Sequence, residues 1–154
     1  MNVVKFLEHG RYQFERVPHR PTYSAQHLAH ELHVPGREVA KTVLLRADGG
    51  YEFVVAVLPA SKKIDFKKAS SLLGGSKLEL ATEIEIGAHC PDCDFGTLPP
   101  FGSRYGMKTI VDSSLADDED IWFEGNTHDE AIRMKFEEFR LLEQPLVAPF
   151  AVSE

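Results

Sequence analysis

The stretch 96–102 reads GTLPPFG, a composition that suits a rigid loop holding backbone groups against a ligand. Glycine lets a ligand approach the backbone closely, and proline fixes its own φ. Because the two prolines have no N–H, the donors in such a loop must be neighbours such as Leu98, Phe101 or Gly102. A fixed array of N–H donors can stabilise a developing oxyanion. A structural turn would explain the same residues, and both interpretations stay open at this point.

Lys41 interrupts an otherwise apolar segment, VAKTVLL at 39–45. A lysine in such a strand must face water, extend its chain to the surface, or meet an anion. It is therefore either a strand-end residue facing solvent or a cation at the floor of a cleft. In the second case it would bind a phosphate or polarise a carbonyl group.

The histidines of the segment 27–33 offer a weaker pattern. His27, His30 and Glu31 would share one face of a helix, but the order differs from the His-Glu-x-x-His motif of zinc hydrolases. A solvent-facing polar stripe is the favoured interpretation. A metal hydrolase built on His27, His30 and Cys90 remains an alternative.

The two cysteines, Cys90 and Cys93, have no second pair to complete a zinc ribbon. A redox pair normally opens a helix after a strand, whereas this pair runs into the Gly/Pro loop. We expect two reduced thiols near a loop, with a metal or redox role as the alternative.

Composition indicates an ordinary globular domain: 154 residues, 43% hydrophobic and 27% charged. No apolar run is long enough to span a bilayer, and the N-terminus lacks the features of a signal peptide. We expect a cytoplasmic protein with no membrane partner. The net charge of −7 argues against broad, non-specific binding of nucleic acid.

A local basic cluster departs from this acidity. Four lysines lie within seven residues: Lys62, Lys63, Lys67 and Lys68. Such clusters are usually a solvated face, and the functional alternative is a contact with an RNA backbone.

The pattern of apolar residues predicts mixed elements. A helix from about Ser24, one from Asp65 to Leu73, and one from Thr82 each begin with a capping residue. A hairpin of two strands turns around Asp48-Gly49-Gly50, and its second strand is apolar on both faces, which is typical of a central strand. Further strands are predicted at 11–19, 78–80, 108–112 and 121–123.

The C-terminal part of the chain has the pattern of a capping box, Thr127-His128-Asp129-Glu130. It predicts a final helix whose apolar face is Ile132, Phe136 and Phe139. The tail 147–150 is expected to pack back on the body. Strands and helices without strict alternation indicate an α/β fold with a mixed sheet and surrounding helices.

Several segments together resemble the YbaK/ProX family, free-standing relatives of the editing domain of bacterial prolyl-tRNA synthetases. They are VAKTVLL at 39–45, GTLPPFGSRYGMKTIVD at 96–112 and GNTHDEAIRMKFEEF at 125–139, with supporting similarity at 21–32 and 58–74. The resemblance covers about residues 11–145. It implies one editing-type domain over 1–154, an α/β fold with a mixed, curved sheet, and no metal or organic cofactor.

The resemblance also implies an activity, hydrolysis of the ester that joins a wrong amino acid to tRNA. The expected substrates are alanine or cysteine on tRNA(Pro), and the partners are aminoacyl-tRNA and a synthetase or another translation factor. The implied catalytic residues are Lys41, at the terminal adenosine or its phosphate, and the loop residues Gly96, Pro100, Phe101 and Gly102.

The implied substrate-binding residues are Tyr23, Asn126, Thr127 and His128. Some relatives place a histidine shortly before the polar pair 126–127, where this chain has Asp120-Ile121-Trp122-Phe123, so His128 is a candidate replacement. A catalytically silent module that binds tRNA ends or a synthetase is the main alternative function.

Overall fold

The computed structural model describes residues 1–94 and 96–154. Within these ranges the helices are α1 (Val3–His9), α2 (Ala25–Leu32), α3 (Phe66–Leu72), α4 (Glu83–His89) and α5 (Phe136–Glu143). The strands are β1 (Glu15–Pro18), β2 (Ala40–Ala47), β3 (Glu52–Pro59), β4 (Lys62–Ile64), β5 (Leu78–Leu80), β6 (Lys108–Asp112), β7 (Asp120–Glu124), β8 (Glu130–Lys135), β9 (Leu146–Ala148) and β10 (Ala151–Ser153).

A five-stranded mixed sheet with the order β5-β2-β3-β6-β9 organises the fold. β2 and β3 form the predicted antiparallel hairpin, and β6 pairs with β3 in parallel. Successive residues of a strand point to opposite faces. Val55 and Val57 lie in one core cluster and Val54 and Ala56 in another, so both faces of β3 are covered. The central position predicted for this strand is confirmed.

A second, antiparallel sheet has the order β1-β8-β7, and β10 pairs with β4. Phe123 of β7 and Phe139 of α5 belong to the same core cluster as Val55 and Val57. The three-stranded sheet and α5 therefore pack on one face of the five-stranded sheet. The predicted class, an α/β fold with a mixed sheet and helices around it, is confirmed.

The three predicted helix starts are confirmed by their capping hydrogen bonds. The Ser24 side chain accepts from the backbone N–H of His27, and the Asp65 carboxylate accepts from the N–H groups that open α3. Thr82 forms a complete capping box with Glu85. Each cap satisfies N–H groups that the first turn of a helix leaves without an intrahelical partner.

The final helix was predicted too early. Residues 130–135 form β8, and the helix starts at Phe136. Ala131 and Ile132 are fully buried, and β8 pairs with β1 on one side and β7 on the other. The Thr127 hydroxyl instead donates to the Asp129 carboxylate in the turn before β8. Two pairing partners outweigh the local capping signal.

The prediction for the C-terminal tail is confirmed, whereas the N-terminal residues differ from what the sequence predicted. The tail does pack back: β9 joins the five-stranded sheet, and Phe150 is fully buried. The N-terminal helix α1, capped by Asn2, was not predicted. The predicted strand at 11–19 is shorter, since β1 spans Glu15–Pro18. No helix in the described ranges is long and apolar enough to cross a membrane.

Candidate functional site

A cavity of about 70 Å³ lies where three parts of the fold meet. The start of α2 with the residues before it forms one wall, and the start of β2 forms another. The loop residues Gly96, Thr97 and Leu98 and the end of β7 at Glu124 complete it. The pocket thus brings together Lys41, the first half of the GTLPPFG loop and Tyr23, which are far apart in the sequence.

Lys41 lies at the start of β2, and 25% of its side chain is exposed. It lines this pocket and an adjoining one of about 260 Å³. Its Nζ is 3.3 Å from the Glu154 Oε1, so a carboxylate accompanies the ammonium group. The lysine is a cation at the edge of a cleft, accessible to an anion that displaces Glu154.

The GTLPPFG loop divides into a pocket end and a core end. Gly96 is exposed with φ +83°, a left-handed backbone conformation that glycine adopts readily. Phe101 is fully buried, with its ring packed edge-on against Phe6 and Phe123. Pro100 is also buried. Gly96, Thr97 and Leu98 line the pocket, whereas the second half of the loop anchors it.

The Gly102 amide has a partner within the protein. Its N–H donates to the Thr109 Oγ1 at 2.9 Å, and that hydroxyl is 2.6 Å from the Glu143 Oε2. A Cβ at position 102 would lie 2.5 Å from the Thr109 hydroxyl oxygen. Close packing explains this glycine. Of the three loop donors suggested by the sequence, Leu98 is the one that lines the pocket.

Glu124, which sequence reasoning missed, lies at the pocket end of β7. Its side chain is 13% exposed, and its Oε2 lies 3.4 Å from the His128 Nδ1. Burial, reinforced by the nearby Asp94 carboxylate, raises the pKa of Glu124 to about 8. An acidic residue at a strand end is common on protein surfaces, so no local signal marked it out.

His128 and Tyr23 are neighbours. Their rings are 4.6 Å apart between centroids, with Tyr23 on the outside at 75% exposed. The His128 backbone N–H donates to the Asp94 carboxylate, and its carbonyl accepts from Thr22. The structure therefore places both predicted binding residues beside the pocket, with His128 next to Glu124.

Asn126 and Thr127 have contacts outside the pocket. The Asn126 carboxamide accepts from the Val3 N–H at 2.8 Å and donates to the Met1 carbonyl at 2.7 Å. Asn126 is buried with φ +75°. Its side chain thus joins the turn after β7 to the N-terminal segment, while Thr127 contacts Asp129.

The four clustered lysines lie on β4 and the first turn of α3. Lys63, Lys67 and Lys68 are exposed, whereas Lys62 is half-buried with its Nζ 4.0 Å from the Asp112 carboxylate. β4 begins two residues after Ala60, which lines the cavity beside Lys41. The cluster therefore begins close to the cleft along the chain, and three of its lysines are exposed.

The cysteines differ from expectation, because Cys90 and Cys93 form a disulfide and are not reduced thiols. Their sulfurs and the Asp92 carboxylate form the group with metal-ligand spacing found among the described residues, and it contains neither His27 nor His30. Both histidines are exposed on α2. The fold does not bring together the set His27, His30 and Cys90.

The fold and pocket define the chain as an α/β domain of the editing type. Residues 19–142 match the family model of the aminoacyl-tRNA editing domain, and the chain belongs to that family. The family resemblance inferred from the sequence motifs is confirmed.

Curated relatives include a multifunctional Ser/Thr-tRNA deacylase, ProXp-y, of Escherichia coli strain K12. It is 26% identical over 107 residues, which cover 69% of this chain and 64% of that protein. A proline–tRNA ligase of Leuconostoc citreum strain KM20 is 30% identical over 125 residues, which cover 72% of this chain but 21% of the ligase. The chain thus spans less than two thirds of the length of either protein.

Solved structures show the same fold. A hypothetical protein superposes with a TM-score of 0.89 at 18% identity, covering 99% of this chain and 100% of the other. A candidate trans-editing enzyme for prolyl-tRNA synthetase gives 0.82 at 22% identity, covering 99% and 95%. At these identities the likeness establishes the fold.

Proposed function

We propose that this chain is a trans-acting hydrolase that cleaves the ester between a wrong, small amino acid and tRNA. The observation that carries the proposal is the meeting of Lys41 with the Gly96–Leu98 backbone around one small pocket. The positive charge suits the phosphate of the terminal nucleotide, and the loop backbone suits the ester carbonyl. Residues 1–154 would act as one editing-type domain, and its substrate would be found in the cytoplasm.

The chemistry needs no protein nucleophile, because an aminoacyl ester is already activated. A bound water would attack the ester carbon, helped by the free ribose hydroxyl next to the ester, and the other ribose oxygen would leave as the alcohol. The Leu98 N–H is the loop donor that we place at the oxyanion, since the Gly102 N–H is bound to Thr109. A preorganised donor of this kind contributes roughly 10²–10³ in rate. Gly96 and the buried Pro100 and Phe101 would hold the loop in position.

The pocket volume supports a small amino acid as the substrate. A cavity of about 70 Å³ has room for a side chain of a few heavy atoms, so long or aromatic side chains would be excluded by steric clash. Alanine and cysteine on tRNA(Pro) fit this limit. Serine and threonine fit as well, and the deacylase relative is named for them.

The test is deacylation of a panel of charged tRNAs by the wild type and by Lys41→Ala. The panel contains Ala-, Cys-, Ser- and Thr-tRNAs together with cognate Pro-tRNA(Pro). We expect selective hydrolysis of one or more small residues and at least a tenfold loss in Lys41→Ala, with an unchanged melting temperature. Lys5→Ala, an exposed lysine on α1, is the matched control and should keep full activity.

Two results would contradict the proposal. No hydrolysis by folded wild type across the panel would favour a silent module that binds tRNA ends or a synthetase. Full activity in Lys41→Ala would remove the lysine from the site even if the chain is a deacylase.

A further inference from the structure

One oxygen of the Glu124 carboxyl group, Oε2, is buried 3.4 Å from the His128 Nδ1. This oxygen is inaccessible to solvent and has no hydrogen-bond partner within residues 1–94 and 96–154, and the same holds for the His128 Nδ1 beside it. Buried polar atoms are normally paired, so an unpaired one in a pocket wall calls for an explanation. The two atoms can pair with each other, but the Glu124 side chain also lines the pocket and is 13% exposed, so a ligand group in the pocket can contact it.

The surroundings of Glu124 favour a cation as that group. Asp94, from the segment before the loop, adds a negative charge nearby, and His128, after β7, has its Nδ1 3.4 Å from the Glu124 Oε2. Lys41 of β2 and the uncharged Tyr23 line the same pocket. The cavity therefore carries a cation on the β2 side and a carboxyl group at the end of β7.

An aminoacyl-adenosine end has a matching separation of charge. Its phosphate lies on the nucleotide side of the ester, and its α-ammonium group lies on the carbon next to the ester carbonyl. If Lys41 binds the phosphate, the Glu124 carboxyl group is left to bind the α-ammonium group.

We propose that Glu124 binds the α-ammonium group of the esterified amino acid and is a specificity-determining residue of this site. The inference rests on the proposed function, because it takes the substrate to be an aminoacyl ester. A carboxylate–ammonium hydrogen bond is among the stronger polar contacts in proteins. It would select a free amino acid ester over one whose amine is blocked or replaced.

Proton release is a second consequence. With a pKa of about 8, the Glu124 carboxyl group is mostly protonated at neutral pH. An ammonium ion beside it favours the carboxylate form, so its pKa falls on binding. Binding near pH 7 should then release up to about one proton per ligand.

The test uses stable amide analogues that the protein cannot hydrolyse. They are 3′-amino-3′-deoxyadenosine 5′-phosphate acylated on the 3′-amine with alanine, with lactate, in which a hydroxyl replaces the α-amine, or with serine. Calorimetry at pH 7 in two buffers of different ionisation enthalpy measures both affinity and proton release. The proteins are wild type, Glu124→Gln, Glu124→Asp and the exposed control Glu52→Gln.

We expect wild type and Glu52→Gln to bind the alanyl analogue about 10 to 100 times more tightly than the lactoyl analogue. They should also release a proton. Glu124→Gln should bind the two analogues about equally without proton release, and Glu124→Asp should keep part of the preference because it keeps the charge.

The same preference in Glu124→Gln as in wild type would overturn the inference. A change in Glu124→Gln that is confined to the ratio of seryl to alanyl binding would also overturn it, because Glu124 would then recognise a side-chain hydroxyl. A wild type that binds none of the analogues would overturn it as well. If wild type hydrolyses the tRNA panel but fails these tests, the proposed function stands and the inference falls. If it discriminates the ammonium group but hydrolyses no tRNA, the inference stands as binding and the hydrolase proposal falls.

Discussion

Glu124 shows how the fold changes the chemistry of one residue. Burial at the end of β7, with Asp94 nearby, raises its pKa from 4.5 to about 8. A carboxyl group with a raised pKa holds its proton in the folded state over a pH range in which the unfolded chain has lost it. The contribution of the Glu124 carboxyl group to the free energy of unfolding is therefore largest below about pH 4.5. It is lost as the pH rises through about 8.

Glu124→Gln should consequently stabilise the protein at alkaline pH. At pH 9 we expect a higher free energy of unfolding than wild type, on the order of 3 kcal/mol, and little difference at pH 4.5. Urea denaturation at several pH values measures this. Glu52→Gln should show no comparable trend, and a constant difference between Glu124→Gln and wild type across pH would contradict the assignment.

At the scale of elements, Glu143 of α5 joins the helix to the loop and to β6. Its carboxylate accepts from the Ser103 N–H at 3.0 Å, the Ser103 hydroxyl at 2.6 Å and the Thr109 hydroxyl at 2.6 Å. Through Thr109 it also orients the group that captures the Gly102 N–H. This network holds the core end of the loop while the pocket end stays accessible.

Glu143→Ala should destabilise the fold by about 2 kcal/mol, because the buried Thr109 hydroxyl and two donors of Ser103 lose their acceptor at once. It should also increase amide hydrogen exchange in residues 97–106. Glu137→Ala, an exposed glutamate on the same helix, should stay within about 0.5 kcal/mol of wild type. Unchanged stability and exchange in Glu143→Ala would show that the network does not hold the loop.

At the scale of the whole molecule, an acidic chain carries its exposed lysine cluster next to the cleft. The net charge of −7 gives little general attraction for RNA, so affinity would depend on this local patch. Lys62 differs from the other three because it lies beside the buried Asp112. RNA contact is thus expected mainly from Lys63, Lys67 and Lys68.

Replacing Lys63, Lys67 and Lys68 with Gln should weaken tRNA binding and flatten its dependence on salt. Each lost phosphate contact lowers the slope of log K against log salt by about 0.7 to 0.9. A triple variant at Lys5, Lys108 and Lys135 removes the same charge elsewhere and serves as the control. If both variants change the slope equally, only net charge matters, and the patch is not the binding surface.

Local interactions were readable from the sequence alone. The hairpin, the caps at Ser24, Asp65 and Thr82 and the central position of β3 all follow from neighbouring residues and their periodicity. The family and the GTLPPFG loop were also recognisable, because each motif is a contiguous stretch of the sequence. In each case the deciding hydrogen bond or apolar pattern lies within a few residues.

Only the tertiary structure decided the features that join distant segments. β8 replaced the predicted start of the last helix because β1 and β7 pair with it on both sides. The Gly102 amide, predicted as an oxyanion donor, is taken by Thr109 and the Glu143 network. Glu124 lines the pocket because the fold places the end of β7 beside the same cavity as a loop nearly thirty positions away. Such partners are set by how the whole chain packs, which a local pattern does not encode.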